Sequence, residues 1–523
     1  MSAGSGNGRV TAAPAPLSGG ALVLGTLALS LATFMNVLDT SIANVSIPAI
    51  AGDLGVSTSQ GTWVITSFGV ANAISLPLTG WLTQRFGQVR LFMASVLLFV
   101  LASWLCGLAP SIEWLIAFRV LQGAVAGPMI PLSQTLLLAS YPSAKAGMAL
   151  AMWSMTTLIA PVAGPLLGGW ITDNIAWPWI FYINVPVGLL AASLTWAVYR
   201  QRESVTRRLP VDVIGLSLLV VWVGSLQIML DKGQELDWFG SSVIVTLGLV
   251  SLVAFMAFLV WELTDEHPVV DLSLFRGRNF WAGAMALALA YALFFGNIVI
   301  LPLWLQQYMG YTATHAGMAV APVGLMAMVL VPIVGRNLPR WDLRWAATFS
   351  FVVFALVMWM RSRFDTQADM ITIIIPTVVQ GIAVAFFFIP LVAIVLSGLP
   401  PEKIAAASGL SNFVRISAGA FGTSISTTLW EDRAAMHHAH LSESIAHGIP
   451  AATDALTRLQ ATGLSPQQSL AAVDRMIEQQ AHTMAANDVF LISSVLFLLL
   501  AGFVWLTKPV PKAGASSDAS GAH

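Results

Sequence analysis

Apolar stretches of about twenty residues recur along the whole chain, and they limit its fold more than any other feature. Residues 91–109 and 240–262 are two of them, with hardly a charged side chain in either. A helix needs about this length to cross a hydrocarbon core of roughly 30 Å. The recurrence therefore predicts an all-α polytopic membrane protein.

The composition excludes an ordinary soluble protein. Of the 523 residues, 57% are hydrophobic and only 9% are charged, and the mean hydropathy is +0.79. A typical soluble domain has about 25% charged residues, which it needs to cover its surface. Cys106 is the single cysteine, so a disulfide framework and a cysteine-based metal site are both excluded. We expect no metal and no organic cofactor.

We predict about fourteen membrane spans, an even number that places both termini on the same side. The predicted spans are residues 21–48, 61–82, 91–109, 113–139, 146–172, 179–199, 212–230, 240–262, 280–305, 315–335, 345–361, 370–397, 404–429 and 487–507.

The basic residues of the loops predict which side is cytoplasmic. If the N-terminus is inside, sixteen Lys and Arg residues fall in inside segments and six fall outside, Arg361 and Arg363 among them. Cytoplasmic loops carry the excess of basic residues in membrane proteins. We therefore expect both termini in the cytoplasm, with a disordered tail at 1–20 and a second tail at 508–523.

An internal repeat appears when the sequence is shifted by 258 residues. At this shift Gln122 falls on Gln380, Gly164 on Gly422, and Asp39 on Asn297. Repeated halves are common in transporters, where they form the substrate site at their interface. Only the first half has an ionisable group at the position of Asp39.

The repeat and the spans together predict the domain organisation. The two six-helix bundles are residues 21–200 and 280–507, and the linker 201–279 holds two inserted spans. The polar segment 430–486 interrupts the second bundle on the outside. It is either a solvated loop or an outside element that docks a partner or rests on the membrane.

Asp39 is the one acidic residue that we place well inside a span, in the stretch FMNVLDTSIANVSIP. A charged side chain at a helix centre costs roughly 2.5–3.5 kcal/mol on insertion scales. Because hydrocarbon favours the neutral form, such a group can take up a proton on one side and release it on the other. Asp39 is therefore our candidate proton site. The alternative is a structural polar group capped by Asn36 or Thr40.

Two arginines also fall within predicted spans. Arg119 cannot lose its charge and must face a partner, a carbonyl cluster or water. It either holds Asp39 ionised or braces helix ends, and Gln122 lies one turn away on the same face. Arg415, with Asn412 one turn before it, is the counterpart in the second half and is either structural or functional.

Two further groups of residues are candidates for substrate binding and gating. We predict a substrate cavity lined by Phe34, Met35, Asn36, Gln122, Trp153, Met155, Phe295, Asn297, Phe387, Asn412 and Arg415, with core packing or lipid contact as the alternative for each apolar member. The predicted gating residues are Gly80, Arg85, Gly87 and Arg90 in one loop, and Pro161, Gly164, Pro165 and Gly168 in one helix. The helix motif favours either tight packing or a hinge.

Four motifs resemble those of the fourteen-helix drug/proton antiporters of the major facilitator superfamily. LDTSIANVSIP resembles the first-helix motif, GWLTQRFGQVR the signature loop, FRVLQGAVAG the fourth-helix motif and APVAGPLLGG the antiporter motif of the fifth helix. The likeness extends over about 21–507 and is strongest to the EmrB-type multidrug efflux pumps. The signature loop departs from the family pattern at Gln84, Gln88 and Val89.

The resemblance implies the major facilitator fold, with two six-helix bundles plus two inserted helices, and a function. It implies a proton-driven exporter of hydrophobic and amphipathic drugs in a bacterial inner membrane, with H⁺ as its coupling ion. It also implies a periplasmic adaptor of the EmrA type and an outer-membrane channel of the TolC type, and no nucleic acid. A proton-coupled carrier of one specific metabolite, importing or exporting on the same fold, is the first alternative. A membrane enzyme or scaffold is the second, although the spans contain no nucleophile constellation or metal cluster.

Overall fold

The computed structural model describes residues 15–206, 210–266, 268–446 and 450–510. Most of both predicted tails, and His447 of the outside segment, lie beyond the described residues. Within the described ranges the regular structure is helical, as expected for a chain that must satisfy its backbone groups in lipid.

The first half and the inserted pair contain twelve of the α-helices that the structure describes. They are α1 Gly19–Asp53, α2 Thr58–Gly61, α3 Trp63–Ser75, α4 Thr79–Phe86, α5 Gln88–Gly107, α6 Ile112–Ala126, α7 Met129–Ser140, α8 Ala146–Asn174, α9 Trp179–Tyr182, α10 Asn184–Tyr199, α11 Val213–Lys232 and α12 Ser242–Thr264.

The second half contains the remaining α-helices of the described ranges. They are α13 Arg278–Gln307, α14 Ala313–Val320, α15 Pro322–Asn337, α16 Leu343–Arg361, α17 Met370–Ala385, α18 Phe388–Leu396, α19 Pro401–Ala446, α20 Pro450–Ala461 and α21 Pro466–Phe503.

Length and hydropathy identify eleven helical segments of the described chain that can cross a membrane, or twelve with the α3–α4 pair, which bends by 62°. The predicted spans 146–172 and 404–429 coincide with α8 and α19, which are not among these segments; of the two, only Ala146–Pro161 of α8 is found, as a shorter apolar helix. The count of fourteen stays a prediction. The helical bundle itself is confirmed.

One loop assignment was wrong. Arg361, predicted in an outside loop, is the last residue of α16, and only 1% of it is exposed. Its long side chain turns back into the second half, where it meets α17. Arg363, two residues later, is exposed as predicted.

Helix α1 lies at the centre of the first half, packed against α7, α8 and α10. Gly164 and Gly168 of α8 lie directly against Ser41 and Ile42 of α1, where a larger side chain would collide. The Ser41 hydroxyl also donates to the Pro161 carbonyl at 3.0 Å. The motif predicted to act as a hinge or a packing site therefore contacts α1 immediately after Asp39.

The second half repeats this arrangement around α13, which packs against α18, α19 and α21. Gly422 of α19 lies against the backbone of Ala292, and Gly296 of α13 lies against Ser426. Gly164 and Gly422, which the 258-residue shift pairs, thus both lie at a close crossing with the first long helix of their half, although Gly422 meets that helix seven residues earlier than the shift predicts.

The two halves touch near the helix ends that the charge pattern predicts to be cytoplasmic. Gly80 of α4 packs on Ala406, and Gly147 of α8 packs on Gly335 and Leu338. Toward the opposite end, the end of α11 and the loop after it reach both halves: Lys232 Nζ donates to Thr62 at 2.7 Å, and Trp238 Nε1 donates to Thr428 at 2.9 Å.

The segment 430–486 is largely helical where the structure describes it. Helix α19 continues to Ala446, α20 follows, and α21 begins at Pro466 behind a Ser465–Gln468 capping box. The described part of the segment is therefore helical and not an irregular loop.

Candidate functional site

Asp39 lies fully buried in α1, at the centre of a polar cluster in the first half. Its Oδ2 forms an ion pair with Nη1 of Arg119. Its Oδ1 accepts hydrogen bonds from Gln122 Nε2 at 3.0 Å and from Asn184 Nδ2 at 2.9 Å. Three different helices, α1, α6 and α10, supply these groups.

Arg119 of α6 is also fully buried, and its contacts extend beyond the carboxylate. Its Nε donates to the Val64 carbonyl at 3.0 Å and its Nη1 to Gln122 Oε1 at 2.7 Å. Its guanidinium carbon lies 4.2 Å from the centre of the Phe68 ring. Among the described residues its Nη2 has no hydrogen-bond partner. Arg119 can therefore keep several favourable contacts even if Asp39 becomes neutral.

Asn184 and Ser103, which are not among the predicted site residues, also belong to this cluster. Asn184 donates to both Asp39 and Ser103, and the Ser103 hydroxyl donates to the Phe181 carbonyl at 2.9 Å. The only signal for Asn184 was an amide within an otherwise apolar span. Sequence alone does not tell whether such an amide faces a carboxylate.

The alternative explanation for Asp39, a polar group capped from its own helix, does not match the geometry. Asn36 donates to the Ala126 carbonyl at 3.0 Å. Within the described chain, neither Asn36 nor Thr40 bonds to Asp39. The carboxylate is held from other helices, so its charge state affects how those helices pack.

The second half holds a related cluster without an acid. Asn297, the repeat counterpart of Asp39, donates to Ser493 Oγ at 2.9 Å, and its Oδ1 has no partner among the described residues. Gln380, the counterpart of Gln122, accepts from Arg361 Nη2 at 2.6 Å. Here the guanidinium comes from α16 rather than from the helix of the glutamine.

Arg415 lies on α19 near the boundary of the two halves. Its Nη2 donates to Asn412 Oδ1 at 2.8 Å, and its guanidinium carbon lies 4.5 Å from the centre of the Tyr291 ring. Tyr291 in turn stacks on Phe295, with ring centres 4.3 Å apart. Three of the predicted cavity residues, Asn412, Arg415 and Phe295, are thus brought together.

The other predicted cavity residues are divided between the two halves. Met35 and Trp153 are buried in the hydrophobic core, whereas Phe34 and Met155 are partly buried. Phe387 is fully buried among other phenylalanines of the second half, in edge-on contact with Phe354. Whether these side chains meet a substrate stays a prediction.

The signature loop is held by an acid that sequence analysis did not select. Gly87 adopts a φ of +88°, and the backbone amides of Val89 and Arg90 donate to the Glu203 carboxylate at 3.0 and 2.9 Å. Arg90 adds a long ion pair at 3.9 Å, and Arg85 lies over the Trp81 ring. Glu203, from the linker, therefore supplies a negative charge at this loop.

In the predicted hinge motif, Pro161 accepts the Ser41 bond and the two glycines pack on α1, as described above. The side chain of Pro165 lies outside the part of the structure that is described.

Comparison with known proteins decides the family. The sequence profile of the Major Facilitator Superfamily matches residues 29–423, well over half of the chain. The chain belongs to the major facilitator superfamily. It is therefore a multi-pass membrane transporter and not an enzyme, and its two bundles are those of the major facilitator fold.

Two relatives of the superfamily cover nearly the whole chain. The multidrug export protein EmrB of Escherichia coli strain K12 is 53% identical over 509 residues, which cover 97% of this chain and 99% of that protein. The fatty acid resistance protein FarB of Neisseria gonorrhoeae is 50% identical over 494 residues, with coverages of 94% and 97%.

A solved major facilitator structure shares the fold. The proton:xylose symporter XylE has a TM-score of 0.58 and 14% sequence identity, and the match covers 92% of this chain and 95% of that one. At this identity the likeness concerns the fold alone.

Proposed function

We propose that this protein is a proton-driven antiporter that exports hydrophobic and amphipathic drugs by alternating access. The observation that carries the proposal is the fully buried Asp39–Arg119 pair, held between α1, α6 and α10. The names of the relatives, a multidrug export protein and a fatty acid resistance protein, support the export function and this substrate range.

A proton at Asp39 would break its ion pair with Arg119 and change the contacts between three helices. Arg119 would keep the Val64 carbonyl, Gln122 and the Phe68 ring. Because α8 packs against α1 just beyond Asp39, a shift of α1 would reach the bundle interface through α8, which also contacts α15 and α18. One charge that crosses about 100 mV releases roughly 2.3 kcal/mol, which is enough to bias such a switch.

The contacts at Gly80–Ala406 and Gly147–Gly335 close the interface at the end predicted to be cytoplasmic. Export requires that these contacts separate to admit a drug and then reform. The protein would sit in a bacterial inner membrane as the pump of a tripartite system, with a periplasmic adaptor of the EmrA type and an outer-membrane channel of the TolC type. The likeness to the E. coli export protein supports this assembly.

The test is drug uptake into proteoliposomes that hold inverted transporter under an imposed pH gradient. We expect the Asp39→Asn variant to lose gradient-driven accumulation while it still binds drug without a gradient. Asp39→Glu keeps a carboxyl group and should retain part of the coupling. Asp365→Asn changes an exposed carboxylate and serves as the matched control.

Loss of a partner for Arg119 can also unfold the variant, so each protein is first compared by gel filtration and thermal unfolding. A well-folded Asp39→Asn protein whose accumulation still follows the pH gradient would contradict the proton assignment. Wild-type protein that accumulates no drug under any gradient would contradict the antiport function.

A further inference from the structure

Two buried guanidinium groups of the second half have no carboxylate partner in the part of the chain that the structure describes. Arg361 is 1% exposed and Arg415 is 6% exposed. Arg119 of the first half, by contrast, pairs with Asp39. A buried charge without a counter-charge is costly, and arginine cannot lose its proton to avoid that cost. Each group therefore needs some other compensation.

Arg361 is compensated in part by the protein itself, since its Nη2 is bonded while its Nε has no partner among the described residues. Its guanidinium donates to Gln380 at 2.6 Å and to Thr377 at 3.4 Å, and α21 covers it with the Phe490 ring at 6.0 Å. These groups seal it inside the second half, away from any ligand that enters between the halves.

Arg415 lies instead on the face of α19 that looks toward the first half. Ser408, on the same face, donates directly to Gln134 of α7 in the first half. Arg415 is seven residues further along, which is two helical turns, or about 10 Å. Phe388, beneath its guanidinium, begins α18, which packs against α8 of the first half. The charge therefore lies at the boundary where the two halves meet.

The groups around Arg415 are aromatic. The Tyr291 ring lies 4.5 Å and the Phe388 ring 5.8 Å from its guanidinium carbon, and Phe295 extends this surface by stacking on Tyr291. Asn412 and Tyr291 engage only part of the five N–H donors of an arginine. A cation with spare donors beside an apolar wall matches a ligand with an anionic head and an apolar body.

We propose that Arg415, Tyr291 and Phe388 bind the anionic head of amphiphilic substrates, with a carboxylate as the preferred head group. The planar guanidinium can donate two parallel hydrogen bonds to a carboxylate, a geometry that lysine does not offer. This inference rests on the proposed export function, and it adds a substrate class and a residue that selects it.

The test measures equilibrium binding to the full chain in nanodiscs of zwitterionic lipid, without a pH gradient. The probes are dodecanoate, methyl dodecanoate and dodecyltrimethylammonium, which share one tail, and each value is corrected for partition into empty discs. We expect wild type to bind dodecanoate about tenfold more tightly than the ester, as expected for a charge-assisted hydrogen bond. Arg415→Gln should remove this difference and leave binding of the ester unchanged, and Arg415→Lys should keep part of it.

Arg363→Gln is the matched control, since Arg363 also lies over an aromatic ring, that of Trp359 at 5.2 Å, but on the exposed surface. It should bind all three probes like wild type. Gel filtration and thermal unfolding identify any variant that fails to fold. If Arg415→Gln does not fold, the proposal is tested by the Arg415→Lys variant and by the binding of the three probes to wild type.

Three results would overturn the proposal: equal binding of dodecanoate and ester by wild type, full retention of the difference in Arg415→Gln, or its removal by the Arg363→Gln control. A further measurement adds phosphatidylglycerol, an anionic lipid, to the discs. If this lipid abolished dodecanoate binding to wild type but did not affect the Arg415→Gln variant, the site would be assigned to a lipid head group instead. The assay involves no transport. A failure of proton coupling in Asp39→Asn would therefore leave these results unchanged, and the two proposals fail separately.

Discussion

The two halves share one fold but differ in the charges that they bury. In the first half a carboxylate, a guanidinium and two amides form one cluster around Asp39. In the second half the amide of Gln380 keeps its place, an asparagine replaces the acid, and Arg361 supplies the guanidinium from a different helix. The two halves therefore share the glutamine of the cluster, whereas the acidic residue is present only in the cluster of the first half.

This difference decides which half can respond to protons. Asn297 and Gln380 stay neutral at any physiological pH, and an arginine stays charged. Of the residues named in the two clusters, Asp39 is the one that can gain or lose a charge by binding a proton. A change of charge deep in a low-dielectric interior has a large effect on the neighbouring groups. Under the proposed function, the first half would switch with proton binding, while the two buried arginines of the second half would keep a fixed positive charge.

Removing each guanidinium in turn gives the largest expected contrast between the halves. Arg119→Met leaves the buried Asp39 carboxylate without its ion-pair partner. Breaking such a pair typically lowers the free energy of unfolding by about 3–5 kcal/mol. Arg361→Met leaves only the neutral groups of Gln380 and Thr377 without a partner. We expect it to lower the free energy of unfolding by about 1–2 kcal/mol. The measurement is denaturant unfolding of both variants in the same lipid discs.

The double variant Asp39→Asn/Arg119→Met provides the control, because it removes both charges at once. It should recover much of the stability lost in Arg119→Met. Equal costs for Arg119→Met and Arg361→Met would show that Asp39 does not depend on its ion pair, and the comparison of the halves would then lose its basis.

Much of this arrangement could be predicted from the sequence, because a bilayer imposes strict rules on composition. Long apolar runs gave the helices, and the rarity of charges within them singled out Asp39 and Arg119. The repeat paired Gln122 with Gln380, and each of these side chains accepts a hydrogen bond from a buried arginine.

The rest depended on the direction of side chains and on distant contacts. Arg361 ends its span, and a long side chain at that position can extend into water or fold back into the protein. Asn184 looks like any other amide in an apolar helix until its distance from Asp39 is known. Glu203 contacts the loop at Gly87 from more than a hundred residues away in sequence. Neither periodicity nor hydropathy carries that information.

The glycine crossings test whether the two halves also differ in how tightly they pack. A methyl group at Gly422 would meet three backbone atoms of Ala292, all within 2.5 Å, whereas at Gly164 it would first meet the hydroxyl and Cβ of Ser41 and the Ser41 backbone only at 3.0 Å. Overpacking typically costs about 1–3 kcal/mol. We expect Gly422→Ala to lie at the upper end of this range and Gly164→Ala below it.

Thermal unfolding of both variants measures the contrast. Gly69→Ala is the matched control, since a methyl group there meets no atom within 4 Å. Alanine also has a higher helix propensity than glycine. It should unfold at or slightly above the wild-type temperature. If Gly164→Ala proved the more destabilising change, the first half would be the more tightly packed of the two.

We expect the smallest change in the free energy of unfolding from an ion pair at the surface. Its comparison with the Asp39–Arg119 pair shows how burial changes the contribution of an ion pair. Lys403 Nζ lies 3.0 Å from Asp271 Oδ2, and the side chains are 45% and 33% exposed. Partial burial raises the pKa of Asp271, but the hydrogen bonds from Ser273 and Lys403 outweigh it and hold the pKa below its ordinary value of 3.8. A carboxylate with a lowered pKa stabilises the fold above its ordinary pKa and loses that contribution as the pH falls through the lowered one.

Asp271→Asn should therefore lower the unfolding free energy at pH 7 by less than about 1 kcal/mol, as is usual for exposed pairs. The difference from wild type should vanish when the pH is brought below the lowered pKa, and 0.5 M salt should shrink it at pH 7, because an exposed pair is screened. Salt should leave the cost of Arg119→Met almost unchanged, since both side chains of the Asp39 pair are fully buried and therefore little screened. A cost of Asp271→Asn that persisted in acid and in salt would mean that Asp271 acts through its hydrogen bonds to Ser273, and that its charge contributes nothing.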